Sequence, residues 1–173
     1  MKDSRLVPLY REMAASDQNF HGLTILQHAE QIGKLIKTHK VKTLLDYGCG
    51  RADAYRSPFK VWDAWGLKWS NVALYDPAFE RYERLPDRRF DMVLCSDVLE
   101  HVPEEDVERF IVDLFDHAKV LVWASVCCRP AKKTFPQTGE NLHVTVKSFE
   151  WWREKLAAAA TLIEVGFVLV ETP

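Results

Sequence analysis

From Leu23 to Lys37, the apolar residues Leu26, Ala29, Ile32 and Ile36 recur at helical spacing and predict a helix. The run Val41 to Tyr47 predicts a buried strand, stopped by Gly48-Cys49-Gly50. Two more short apolar runs, Asn71 to Tyr75 and Phe90 to Cys95, predict strands that end at Asp76-Pro77 and Ser96-Asp97. Pro103 then opens an amphipathic helix, because its missing N–H costs nothing at a first helical position. Glu104, Glu105 and Asp106 suit the positive end of that helix, and Val107, Phe110, Ile111, Leu114 and Ala118 make its apolar face. Lys119 to Val126 is nearly all apolar, the pattern of a central strand covered on both sides. Ser148 can cap a helix running to Ala160 with Trp152, Leu156 and Ala159 inward, and Gly166-Phe167 lead into a last strand, Val168 to Val170.

Strands alternating with helices predict an α/β fold: an open, mostly parallel twisted sheet with helices on both faces. Such sheets bind ligands beyond the carboxyl ends of their strands, where strand order switches. Three strand ends here carry Gly or Asp: the Gly48 turn, Asp76 and Asp97. The 173 residues suit a single domain over residues 1–173, with residues 1–21 as an N-terminal arm or short helix. Tyr10, Met13, Phe20 and His21 of that arm could close over a ligand.

Composition narrows the function classes. With 23 Lys plus Arg against 25 Asp plus Glu, there is no basic excess for gripping a long nucleic-acid duplex. Arg81, Arg84, Arg88 and Arg89 are interleaved with Glu80, Glu83, Asp87 and Asp91, which reads as a solvated, salt-bridged surface. Cys49, Cys95, Cys127 and Cys128 form no C-x-x-C pair and read as reduced thiols, so no metal site is expected. Met1 to Met13 lacks the apolar core of a signal peptide, and Val120 to Val126 is too short to cross a bilayer. A cytoplasmic protein without membrane contact is the expectation.

The candidate chemistry sits at the strand ends. Gly48 and Gly50 let the chain turn sharply and let a ligand approach the backbone. The turn could also cradle a nucleotide phosphate, but Asp53 occupies the third glycine position of the dinucleotide pattern G-x-G-x-x-G. A cationic or zwitterionic ligand suits it better. Asp76 can accept two hydrogen bonds from vicinal ribose hydroxyls, or can simply form an Asx turn before Pro77.

The segment Phe90-Asp91-Met92-Val93 through Val98-Leu99-Glu100-His101-Val102 resembles the fourth-strand motif of class I S-adenosylmethionine-dependent methyltransferases. Leu44-Leu45-Asp46-Tyr47-Gly48-Cys49-Gly50 is similar to that family's first glycine motif, and Asp76 falls where the family keeps its ribose acid. The resemblance implies S-adenosyl-L-methionine as cofactor. It implies that Gly48, Cys49 and Gly50 pack against its methionine part and Asp46 orients its amino group. Asp76 would hold the ribose, and Ser96 and Asp97 would lie beside the methionine or adenosine. The chain departs from the family in having Ala52 for a glycine, no clear strand with an acid between Phe79 and Arg89, and one C-terminal strand in place of an antiparallel pair.

A sulfonium methyl group is already activated, so a base is needed only for a protonated acceptor. His143 is the candidate base, on the loop that leaves the Val120 to Val126 strand. Arg129, Lys132 and Lys133 of that loop could meet an anionic acceptor or form a solvated basic loop. Tyr55, Phe59, Trp62, Trp65 and Trp69 could stack on a planar acceptor or pack an irregular helix on the sheet. The reading is methyl transfer to a small-molecule, nucleotide or other exposed acceptor; exposed aromatics could also support a homodimer. The alternatives are a nucleotide-dependent oxidoreductase or epimerase on a related sheet, and a non-catalytic S-adenosylmethionine-binding module.

Overall fold

The computed structural model describes residues 4–15 and 19–173. Residues 1–3 and 16–18, part of the arm expected over 1–21, lie outside the described residues. Five strands form one sheet: β1 (Leu44–Tyr47), β2 (Val72–Tyr75), β3 (Phe90–Ser96), β4 (Ala118–Cys127) and β5 (Gly166–Thr172). All pair in parallel, in the order β2-β1-β3-β4-β5. The chain runs from β1 outward to β2, then returns to add β3 on the other side of β1, so strand order switches between β1 and β3. All three predicted strand ends therefore converge at one edge of the switch.

Helices cover both faces. On one face, α2 (Ala29–Thr38) and the short α3 (Val61–Ala64) pack Ile32, Ile36, Val61 and Trp65 against Leu44, Met92, Leu94 and Trp123 of the sheet. On the other, α4 (Val107–Asp116) and α5 (Phe149–Ile163) pack Phe110, Ile111, Leu114, Trp152 and Leu156 against Leu45, Val93, Val122 and Ala124. Burial of β4 from Leu121 to Val126 on both sides explains its continuous apolar run. A third, smaller core joins Leu6 and Met13 at either end of α1 (Val7–Ala14) to Phe135 and Leu142 of the β4–α5 connection.

The element boundaries differ from the pattern for local reasons. The turn after Pro103 is tight, with Asp106 N–H on the Pro103 carbonyl at 2.8 Å, and α4 begins at Val107. Ala118, expected on the apolar face of that helix, instead opens β4 opposite Phe90. Thr24–His28 is likewise a 3₁₀ turn ahead of α2. Between β2 and β3 the chain forms a 3₁₀ turn, Glu80–Tyr82, and no strand. Of the charge-interleaved segment there, Arg89 donates to the Ala118 carbonyl, Arg88 lies over Phe90, and Asp91 accepts the amides of Lys42 and Thr43. These charges tie the segment to the sheet as well as to solvent. Glu83 pairs with Arg11 of α1.

Phe110 is 2% exposed and meets the Tyr47 ring edge-on at 5.3 Å. Phe110→Ala is expected to lower stability by about 3–5 kcal/mol in chemical denaturation. Ser148 accepts the Trp151 amide at 3.2 Å, so Ser148→Ala is expected to cost about 1 kcal/mol by the same measurement.

Candidate functional site

The turn after β1 is fastened to the turn after β2. Gly48 and Cys49 both donate their amides to the Tyr75 carbonyl, at 2.7 and 3.1 Å. Gly50 donates its amide to Asp76 Oδ2 at 2.8 Å, while Asp76 Oδ1 accepts the Ala78 amide at 2.9 Å. Burial pushes the Asp76 carboxyl above its ordinary value, and the two amides work against that rise. The following amides are also committed: Arg51 to the Phe20 carbonyl, Ala52 to that of Cys49 and Asp53 to that of His21. From Gly48 to Asp53, every backbone N–H is donated within the protein. A phosphate cradle needs such amides free.

The glycines serve the packing of this turn. At Gly48, φ is +96° and a Cβ would lie 2.3 Å from Val98 Cγ2. At Gly50, φ is +55° and a Cβ would lie 2.3 Å from the Phe20 carbonyl oxygen. The space that the sequence reading left for a ligand beside these two positions is filled by Val98 and by the arm. Both residues nevertheless line a cavity of about 450 Å³. That is within the ~300–1,000 Å³ range of small-molecule sites.

The cavity brings together Gly48, Gly50, Asp76, Ser96 and Asp97 of the predicted site. The arm forms its opposite wall with Leu6, Val7, Tyr10, Phe20 and His21. No lysine or arginine is among the described residues that line it. Asp97 adopts φ +52° and is clamped: its Oδ1 accepts the hydroxyls of Ser125 (2.8 Å) and Thr172 (3.0 Å). Its amide bonds the Ser125 carbonyl at 3.1 Å. Ser125 and Thr172 are buried on β4 and β5, so neighbouring strands fix this carboxylate.

Asp46 and Cys49 do not line the cavity. Cys49 is buried against the α2 face of the sheet, and burial pushes its thiol well up. Asp46 lies buried beneath the turn, with Oδ1 lacking a hydrogen-bond partner. Burial pushes its carboxyl up to about 7; the neighbouring Tyr55 hydroxyl draws it down and the Asp76 charge raises it further. The Tyr55 hydroxyl also makes no hydrogen bond of ordinary geometry, so the two groups face each other through electrostatics more than through a bond.

The motif after β3 carries two more ionisable groups, Glu100 and His101, and of these only His101 lines the cavity. Glu100, just after β3, is fully buried, with Oε1 on the Cys127 amide at 3.0 Å and Oε2 without a partner. Burial, then the Asp97 charge, raise its carboxyl to about 8. His101 lines the cavity, with Nδ1 2.9 Å from the Leu142 carbonyl and 3.0 Å from the Tyr10 hydroxyl. Burial, then His143, lower it to about 4. His143 stands behind His101, rings perpendicular at 4.9 Å, and does not itself line the cavity. Pro77, Ala78, Phe79 and Val98 also line the cavity. Nothing in their sequence pattern marks them except their position after strand ends.

The other candidates fall elsewhere. Tyr55 and Trp65 are buried in the α2-side core, and Trp65 Nε1 donates to the Ala29 carbonyl at 2.9 Å. Phe59 and Trp69 are about half exposed (49% and 48%), and none of the five aromatics lines the cavity. Arg129, Lys132 and Lys133 lie on the β4–α5 connection, which packs Phe135 on Tyr10 at 4.9 Å and sends Lys133 to Asn19 at 2.7 Å. This connection braces the arm from outside. The four cysteines are free thiols. No helix of the described residues is long and apolar enough to cross a membrane.

A family model described as a methyltransferase domain matches residues 25–160. No curated protein and no solved structure matches the chain.

Two outcomes follow from this geometry. Gly50→Ala should push the arm off the turn, so the amides of Arg51 and Asp53 should lose hydrogen-exchange protection while those of β4 keep it. The Asp46 carboxyl, raised from 3.8 to about 7, binds a proton more tightly folded than unfolded. Its contribution to stability is thus full below pH 4 and is lost as pH rises through 7, at no more than about 1.4 kcal/mol per pH unit. Denaturation curves across that window should be flatter in Asp46→Asn.

Proposed function

The chain belongs to the class I S-adenosylmethionine-dependent methyltransferase family, and from that premise we propose that it moves the cofactor's methyl group to a small-molecule, nucleotide or other exposed acceptor in the cavity between the glycine turn and the arm. The observation that carries this reading is the meeting of Asp76 and Asp97 in one cavity without a lysine or arginine in its described lining. Such a site favours a cation carrying vicinal hydroxyls over a phosphate.

When bound, S-adenosylmethionine supplies a methyl group already activated on a sulfonium. The protein's task is binding, alignment and exclusion of water. Each Asp76 oxygen holds one backbone amide and keeps acceptor capacity for one of the two ribose hydroxyls. Asp97, with Oδ1 occupied by Ser125 and Thr172, offers Oδ2 to the ammonium of the methionine part, with Ser96 beside it. Asp97 takes over here the role that the resemblance gave to Asp46, which is buried and does not line the cavity. Pro77, Ala78, Phe79 and Val98 of the lining would hold the adenine, in place of contacts from a strand between β2 and β3 that the described residues do not form. The arm keeps water from the reacting atoms through Leu6, Val7, Tyr10 and Phe20. His143 positions His101 and does not meet the acceptor directly.

The dinucleotide alternative is disfavoured by the committed amides of residues 48–53 and by the 3₁₀ turn that follows, Asp53–Tyr55, in place of an α-helix N-terminus. Titration calorimetry checks the assignment. S-adenosylmethionine and its demethylated product should each bind one per chain, and nicotinamide dinucleotides should give no heat. Asp76→Ala should weaken binding by about 1.5–3 kcal/mol, roughly ten- to 150-fold, as charged hydrogen bonds to the ribose are lost. Asp97→Asn should weaken S-adenosylmethionine but leave adenosine binding unchanged. Absence of heat with S-adenosylmethionine and the intact protein would overturn the reading.

A further inference from the structure

Glu100, His101 and His143 each bring one potential metal-ligating atom to within 4.8 Å of the others, the one such group among the described residues. Neither Glu100-His101 nor His143 has metal-ligand spacing in sequence. The fold joins them: the β4–α5 connection is held to the segment after β3 by Thr145 N–H on the Glu100 carbonyl (3.1 Å) and Thr145 hydroxyl on the Val102 carbonyl (2.6 Å).

The hydrogen bonding of the group is one-sided. His101 Nδ1 lies 2.9 Å from the Leu142 carbonyl, and His143 Nδ1 lies 2.5 Å from the Arg129 carbonyl. A carbonyl only accepts, so each ring donates from Nδ1–H, and Nε2 is the ring atom left to ligate a cation. The Tyr10 hydroxyl, 3.0 Å from the same Leu142 carbonyl, then donates there and not to His101. Glu100 is 0% exposed; its Oε1 takes the Cys127 amide and its Oε2 takes nothing. Two imidazoles and a buried carboxyl group thus gather at one point, and Glu100 Oε2 among them is buried without a partner. A buried polar group is rarely left so.

The geometry points to a divalent-cation site formed by Glu100, His101 and His143. Two imidazoles and one carboxylate suit a borderline ion of the zinc class better than magnesium or calcium, which favour all-oxygen sets. The Nδ1–H bonds to the Leu142 and Arg129 carbonyls are the ring-orienting contacts that metal-bound histidines ordinarily make. The cation ties the β4–α5 connection to the cavity wall at His101. This proposal stands independently of the methyl-transfer reading.

The test uses the untagged full chain stripped with a chelator and then dialysed. Zn²⁺ should bind one per chain by calorimetry, and Co²⁺ should give visible d–d bands of low-symmetry coordination. Mg²⁺ should bind far more weakly. Glu100→Gln and His143→Ala should each weaken Zn²⁺ at least tenfold and abolish the Co²⁺ bands, while exposed His39→Ala leaves both unchanged. His143 is only partly buried, so that variant folds even where Glu100→Gln does not; thermal unfolding of the chelated proteins checks this. Absence of one-to-one binding overturns the proposal, as does Zn²⁺ binding that survives His143→Ala undiminished through another thiol or imidazole. S-adenosylmethionine titration of the chelated protein reads the cofactor site separately, so failure of either site leaves the other standing.

Discussion

The site depends on the fastening of two parallel strand ends to each other. Tyr75, the last residue of β2, takes the amides of Gly48 and Cys49, and Asp76 takes the amide of Gly50. These three bonds bend the chain leaving β1 sharply toward β2 and orient the Asp76 carboxylate over the turn. They also leave no room for a side chain at residue 48, because Val98 from the third strand end already occupies that space. The three strand ends are thus one packed unit. A carboxylate held by backbone amides inside such a unit is rigid and keeps its remaining lone pairs aimed at one place.

The same economy explains what the site can bind. Amides that satisfy the protein cannot also hold a pyrophosphate, so the turn is committed to shape and not to anion capture. What lines the cavity is two carboxylates, the hydroxyl residues Ser4, Tyr10, Thr24 and Ser96, two imidazoles and apolar surface, with no lysine or arginine among the described residues. This suits a methyltransferase-domain protein, whose family generally uses a cationic sulfonium cofactor. The arm completes the enclosure, and the β4–α5 connection braces the arm through Phe135, Leu142 and the pair between Arg5 and Glu140 (3.1 Å).

Much of this was legible in the sequence because its cause was local. The sheet strands appear as short apolar runs, and helix α5 announces its start at Ser148. Gly48, Gly50, Asp76, Ser96 and Asp97, which line one cavity, stand at or just after strand ends, which is where an open parallel sheet builds sites. The placement of Asp46 and His143 away from the cavity lining depends on longer-range contacts. Asp46 shares the strand end but points beneath the turn, a distinction that one-residue alternation does not settle at a strand terminus. His143 was placed near the pocket by its loop, yet His101 stands between it and the cavity. Tyr10 and Phe20 join the wall through contacts with His101 and Arg51 far along the chain, which no periodicity encodes.

The most direct measurement is a crystal structure with the demethylated cofactor product bound. Both ribose hydroxyls should then lie on the Asp76 carboxylate, the ammonium at Asp97 Oδ2 and the sulfur facing the arm. A ligand seated outside the cavity, or with its ribose away from Asp76, would contradict this arrangement.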